Sequence, residues 1–246
     1  MGVNREACSL DLFLGGRIIA AQPKEGFRAG HDTVLLAAAI PADAGSSVLE
    51  LGAGAGIASL CLASRVPGAQ VQGIEIDSGL VEIANENAVR NGMADRVGFV
   101  TGDVQQFGDA GAPFAHVFFN PPFHRPDGTE SPIGRRELAK RDCGSAIADW
   151  ATTALRICKT GGTVTAILRA DRAHEMLEAA EGHWRLLFPL YARQGAAAKR
   201  AIVRIIPGQA GGVHYGSGLV LHREDGRNSE DAEVVLRGAG ALRLCP

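Results

Sequence analysis

The feature that most restricts the fold of this chain is a regular alternation between residues 46 and 168. Short apolar runs at 48–51, 71–76, 97–101, 115–119 and 163–168 are separated by stretches with helical spacing. The stretch 57–65 opens behind a glycine run and stops before Pro67. The next is capped by Asp77 or Ser78, sets Leu80, Ile83, Ala84 and Ala88 on one face and closes at Gly92. A third places Ile147, Ala151, Ala154, Leu155 and Cys158 at helical spacing and ends at Gly161-Gly162. Strands joined through helices need crossover connections, so an α/β class with a mostly parallel sheet is expected. Ligands of such sheets sit beyond the carboxyl ends of the strands, which directs attention to the residues after Leu51, Ile76, Thr101 and Phe119.

The flanks are simpler. Leu12-Phe13-Leu14 and Ile18-Ile19 on either side of Gly15-Gly16 read as a hairpin, and a helix after His31 is capped by Asp32 or Thr33 and ended by Pro41. Past Asp171 the pattern gives a helix to about Gly182, β-like stretches at 184–190, 200–206 and 219–222, and a glycine-rich loop at 208–218. Without a repeat or a clean linker, one domain over 1–246 is expected, with 1–45 as an N-terminal hairpin-and-helix extension. An apolar content of 46% with 21% charged residues excludes a disordered chain. A net charge of −2 disfavours a protein that coats nucleic acid with its whole surface, though not one with a local basic face. No run is long and apolar enough for a membrane span, and the N-terminal MGVNREACSL lacks a signal pattern. The five scattered cysteines, odd in number and without a C-x-x-C pair, point to reduced thiols in a cytoplasmic chain. No histidine pair has ligand spacing, so no metal is expected.

Glu50-Leu51-Gly52-Ala53-Gly54-Ala55-Gly56 follows a strand and opens a helix, where glycines let a ligand approach the backbone; the plain alternative is a tight packing turn. The dinucleotide fingerprint is broken, with Ile57 or Ser59 where its last small residue belongs, which disfavours a nicotinamide oxidoreductase. Glu50 repels a pyrophosphate but suits a ligand with an ammonium and a sulfonium, namely S-adenosylmethionine. Glu75, 19 residues after Gly56, is placed to accept from both ribose hydroxyls. Asp103, after the third strand, is placed to accept from the adenine amino group or, alternatively, to serve a turn.

Asn120-Pro121-Pro122-Phe123 after the fourth strand is the most specific signal. The prolines stiffen the backbone and push Asn120 out of the helical region. The Asn120 side-chain oxygen and the Pro121 carbonyl then converge as paired acceptors for a planar –NH₂ group, and Phe123 offers a face for a flat substrate. The chemistry this suits is alignment of an amine in a fixed field, without a strong base.

Together these residues resemble class I S-adenosylmethionine-dependent methyltransferases, in the amino-methylating branch with an Asn-Pro-Pro-aromatic motif. The segment Gly26-Phe27-Arg28-Ala29-Gly30-His31-Asp32-Thr33 and the stretch after Leu219 look like bacterial adenine-N6-methyltransferases of valine tRNA. The resemblance implies a Rossmann-like seven-stranded sheet, mostly parallel with one antiparallel strand and helices on both faces. It implies cofactor contacts at Thr33, Glu50, Gly52, Gly54, Gly56, Glu75, Asp103, Val104 and Asn120, and catalysis at Asn120, Pro121, Pro122 and Phe123. Phenylalanine at the fourth motif place, where tyrosine is commoner, keeps stacking and gives up a phenol hydrogen bond.

Two stretches are locally basic. The first holds Arg125, Arg135, Arg136, Lys140 and Arg141 beside the motif; Phe123, His124, Arg135, Arg136, Lys140 and Arg141 are the expected substrate-binding set, clamping RNA phosphates beside a base flipped into the site, the plain alternative being a solvated surface loop. The second, 183–207, holds Arg185, Arg193, Lys199, Arg200 and Arg204 with no acid; the competing explanation is cations on the exposed face of strands. The expected activity is therefore methyl transfer to the N6 amine of adenine in RNA, with tRNA as partner. Protein glutamine N5-methylation and DNA adenine-N6 methylation are the alternatives, and a noncatalytic RNA-binding module lies outside methyl transfer altogether.

Overall fold

A computed structural model describes residues 7–107, 113–122 and 147–245. An antiparallel hairpin, β1 (Cys8–Phe13) and β2 (Ile18–Pro23), leads into α1 (His31–Ala39). The alternating core follows: β3 (Ser47–Leu51), α2 (Ile57–Arg65), β4 (Gln70–Glu75), α3 (Ser78–Arg90), β5 (Val97–Thr101), β6 (Phe114–Phe119), α4 (Ile147–Ile157) and β7 (Cys158–Arg169). The chain continues through α5 (Ala173–Ala179), β8 (His183–Tyr191), β9 (Arg200–Ala210), β10 (Val213–Tyr215), β11 (Leu219–Val220) and α6 (Glu230–Leu236).

The sheet runs β10-β8-β9-β7-β6-β3-β4-β5, with β11 also on β8. Strands β3 to β7 are parallel, and β9 alone runs against its neighbours β7 and β8. Seven strands with one antiparallel member form the body of the sheet, as expected, but the described sheet has nine. Of the two additional short strands, Val213–Tyr215 comes from the stretch read as a loop and Leu219–Val220 from the β-like stretch after it. Val213–Tyr215 and Leu219–Val220 pair in parallel along the outer edge of β8. The glycines there serve close approach: a Cβ on Gly218 would lie 2.5 Å from the Pro189 carbonyl oxygen. They cover an edge that would otherwise offer unpaired backbone groups.

Alternate residues of the strands feed two apolar clusters. Val48, Val71, Phe99, Phe118 and Ile202 pack under α1, α2 and α3. Leu49, Leu51, Phe119, Ala166 and Val203 pack under α4 and α5. The period of two thus covers both sheet faces with helices.

Several local expectations are corrected. Neither Asp32 nor Thr33 caps α1; Gly30 occupies that place and Asp32 instead accepts from Arg200 at 2.7 Å. Asp77 does cap α3, accepting from the Gly79 and Leu80 amides. Helix α4 closes at Ile157, before the glycine pair, because Cys158 already pairs with Phe114 across a register shift. The next helix is only seven residues long, and α6 lies where no helix is expected.

The hairpin is held to the core by two side-chain amides four residues apart, Asn87 in the last turn of α3 and Asn91 at its C-cap. Asn91 accepts from the Ile19 amide (3.0 Å) and donates to its carbonyl (2.9 Å). Asn87, wholly buried, does the same for Ala21 (2.8 and 3.0 Å) and also donates to the carbonyl of Ala55 in the glycine loop (3.0 Å). Asn87→Ala leaves three backbone groups without their partner. It is expected to cost about 3 kcal/mol or more, lowering Tm by roughly 6–12 °C. A calorimetric fall of less than about 2 °C would show that the docking does not depend on this amide.

Candidate active site

The carboxyl ends of β3, β4, β5 and β6 open onto a cleft of about 420 Å³. Strand β3 delivers Glu50 and then the loop Gly52, Gly54 and Gly56, all at positive φ (67°, 56° and 81°), a path L side chains rarely follow. Gly52 and Gly54 line the cleft. Gly56 does not; it caps α2 and packs where a Cβ would meet Phe99 at 2.5 Å.

Glu50 is 5% exposed, and one carboxylate oxygen accepts from the Ser59 amide (3.0 Å) and hydroxyl (2.5 Å). Burial pushes its pKa up to about 8; the Ser59 hydrogen bonds oppose the rise and the neighbouring Glu75 adds to it. Glu75, at the end of β4, accepts from the amides of Gly54 (2.8 Å) and Asp77 (3.1 Å), so it also anchors the glycine loop. Burial raises its pKa too, against the pull of those backbone bonds. Asp103 does both things considered for it: it lines the cleft, and it accepts from the Gln105 amide (2.9 Å) and the Gln106 side chain (3.2 Å) within its turn.

From β6, Asn120, Pro121 and Pro122 reach the same cleft. The Asn120 Oδ1 is buried and has no hydrogen-bond partner among the described residues. A buried acceptor left unpaired is costly, and its place in a cleft wall marks it as awaiting a donor. Thr33 and Val104 also line the cleft, together with Phe27 at its mouth, 70% exposed. Phe123, His124, Arg135, Arg136, Lys140 and Arg141 lie outside the described residues.

Five acidic side chains border the cleft, Glu25, Glu50, Glu75, Asp77 and Asp103, of which Glu50 keeps its proton until a cation arrives, and among its described lining residues there is no lysine or arginine. Such walls repel a phosphate and attract a cation. Acceptors at two strand ends, an unpaired amide oxygen and a glycine loop fit the expected S-adenosylmethionine, whose ammonium, sulfonium, hydroxyls and amino group are cationic or donating.

Two contributors were not read from the sequence. Trp150 of α4 lines the cleft, packs on Phe119 with ring centroids 5.7 Å apart, and sits so close to Gly52 that a Cβ there would meet it at 2.7 Å. It wedges the glycine loop against the strand that Asn120 follows. Gln22 of β2, 3% exposed, donates to Asp11 (2.7 Å) and accepts from the Ala29 amide (2.7 Å), fixing the segment that borders the cleft from the N-terminal side. The only signal for Gln22 was its nearness to the Gly26–Thr33 segment in sequence; for Trp150 there was none.

The second basic stretch is divided by the fold. Arg204 is half-buried, donates to the Ala39 carbonyl and has its pKa lowered to about 10 by desolvation. Arg185 donates to the carbonyls of His183 (3.1 Å) and Leu177 (2.9 Å), and Arg200 pairs with Asp32. Arg193 and Lys199 remain exposed. Among the described residues, no group of three or more His, Cys, Asp or Glu side chains could hold a metal, and no helix is long and apolar enough to cross a membrane.

Residues 28–141 match the family model described as methyltransferase small domain. A tRNA1(Val) (adenine(37)-N6)-methyltransferase of Porphyromonas gingivalis is 31% identical over 157 residues, which span 61% of this chain and 61% of that relative. A release factor glutamine methyltransferase of Chlorobaculum tepidum is 33% identical over 115 residues, 45% of this chain and 39% of that one. Among solved structures, a predicted O-methyltransferase from Agrobacterium tumefaciens shares the fold at a TM-score of 0.71 and 24% identity, covering 86% of this chain and 98% of its own.

Proposed function

We propose that the chain is a class I S-adenosylmethionine-dependent methyltransferase that methylates the exocyclic N6 amine of adenine in RNA, with tRNA as the substrate. The observation that carries the reading is the Oδ1 of Asn120, buried and without a partner among the described residues, in a cleft bordered by acidic side chains. Relatives with this activity by name support the choice of tRNA.

The cofactor supplies a methyl group activated by a sulfonium that leaves readily. Glu50 and the glycine loop take its amino-acid end, Glu75 its ribose hydroxyls and Asp103 its adenine. The substrate amine is conjugated to its ring and therefore planar. The Asn120 Oδ1 and the Pro121 carbonyl accept its two hydrogens, which holds the nitrogen in place and raises its electron density. Two consecutive prolines keep both acceptors from relaxing toward one another. Phe123 stacks on the base, which reaches the cleft only when flipped out of its own stack. No base of high pKa is required before attack: the cofactor would leave as a neutral thioether, the methylated nitrogen would then lose one proton to water, and alignment is the main contribution of the chain.

A side-chain amide presents the same planar –NH₂, and the shorter match to a release factor glutamine methyltransferase favours testing it alongside. Labelled methyl transfer to tRNA, rRNA and total protein, run in parallel and followed by nucleoside mass spectrometry, separates the two. The expected product is N6-methyladenosine in tRNA; label confined to protein glutamine would overturn the reading.

A further inference from the structure

We propose that the loop joining β8 to β9 grips the sugar–phosphate backbone beside the methylated adenine, through Arg193 and Lys199. The inference rests on the RNA reading above and adds to it the surface that holds the polymer. It starts from a difficulty: the described walls of the cleft carry five acidic side chains and no cation, so they receive a base but repel its phosphates. A nucleic acid must therefore be held from outside the cleft, close enough to reach a flipped nucleotide.

The sheet register locates that hold. Phe119, just before Asn120, is level with Ala166 of β7 and, through it, with Val203 of β9. Three residues further toward the carboxyl edge, Arg169, Arg200 and Leu190 stand side by side on β7, β9 and β8. At about 3.3 Å per residue and 4.8 Å per strand, the start of β9 lies roughly 10 Å beyond Phe119 and roughly 10 Å to one side. The β8–β9 loop, Ala-Arg-Gln-Gly-Ala-Ala-Ala-Lys over 192–199, therefore projects from the same edge as Asn120.

The composition of the loop suits a phosphate chain. No acid occurs from 183 to 207. Arg193, Gln194 and Lys199 are exposed, and neither cation meets a carboxylate among the described residues. Gly195 and three alanines let the polymer approach the backbone. The nearby cations differ: Arg169 is paired with Asp171, Arg200 with Asp32 and Arg223 with Glu230. Those pairs shape the edge, whereas Arg193 and Lys199 have no such pair among the described residues.

The test is the double variant Arg193→Glu with Lys199→Glu in the full chain, assayed for tRNA binding by filter retention and for methylation over a salt series. The expected result is a rise of at least tenfold in KM for tRNA with kcat, cofactor affinity and Tm retained. The dependence of log kcat/KM on log salt should flatten by about 1.4–1.8, the contribution of two phosphate contacts. Unchanged KM and salt slope would overturn the assignment. If the parent binds tRNA without methylating it and the variant releases it, the loop assignment stands while the adenine reading falls. If the parent neither binds nor methylates tRNA, or methylates a protein that the variant methylates equally well, the loop assignment is overturned.

Discussion

Replacing Asn120 with alanine is expected to lower kcat by about 10²–10³-fold or more, the scale seen when one fixed polar partner of a reacting group is removed. The substrate amine keeps the Pro121 carbonyl but loses the acceptor that fixes its rotation. Cofactor affinity should stay within about threefold, because the acids proposed to receive the cofactor, Glu50, Glu75 and Asp103, follow other strands. Stability supplies an independent check. The Oδ1 of Asn120 is buried without a partner among the described residues, so the free protein carries a desolvation penalty of about 1–3 kcal/mol there. Truncation relieves part of it, and Tm should hold or rise by a few degrees. Activity lost while stability is kept is the behaviour of a residue held for chemistry. Retention of more than a tenth of parental kcat, or an equal loss of cofactor binding, would remove Asn120 from the catalytic role.

The second large effect concerns Glu50. Its pKa is about 8 in the fold against an ordinary value of 4.5. Between those values the unfolded chain has already given up the proton that the folded chain keeps. Stability contributed by the protonated group is thus complete below pH 4.5 and is lost as pH rises toward 8. At ~1.4 kcal/mol per pKa unit the loss is of the order of 5 kcal/mol. Glu50→Gln removes this slope, so the variant should match the parent near pH 4 and exceed it by several kcal/mol at pH 8 in denaturant unfolding. Parallel curves for the two proteins would contradict the assignment. The cationic cofactor should draw the carboxyl back to its ionised form. Binding near pH 7 is then accompanied by proton release, measurable by calorimetry in buffers of different ionisation enthalpy and absent in the variant.

The parallel strands are legible in the sequence because residues buried on both sheet faces leave uninterrupted apolar runs, as at Val117-Phe118-Phe119. The strand-end acids are conspicuous for the same reason: a carboxylate closing such a run needs a purpose. Other features depend on distant partners. Asn87 reads as a polar helix residue, yet it is wholly buried because its partners lie 66 and 32 residues earlier. Trp150 reaches the site through the packing of α4, which nothing near it in sequence specifies. Among the cations of 183–207, charge alone does not distinguish Arg204, turned inward to a carbonyl, from Lys199, left in solvent. Gly218 punctuates a stretch that pairs with β8 all the same, because its small size lets the Pro189 carbonyl approach.

The position of β9 between β7 and β8 has a consequence during synthesis on the ribosome. Strand β8 emerges before β9 but reaches the rest of the sheet only through it. The open flank of β7, with Val164, Ala166 and Leu168, therefore waits until residue 210 has been made, a few seconds at ~5–20 residues per second. Once both are out, the adjacent β8 and β9 zip together as a local unit and dock in one step, closing the flank. Until then the nascent chain is most open to capture by chaperones, and a translational pause in that interval would prolong the exposure of a sticky edge.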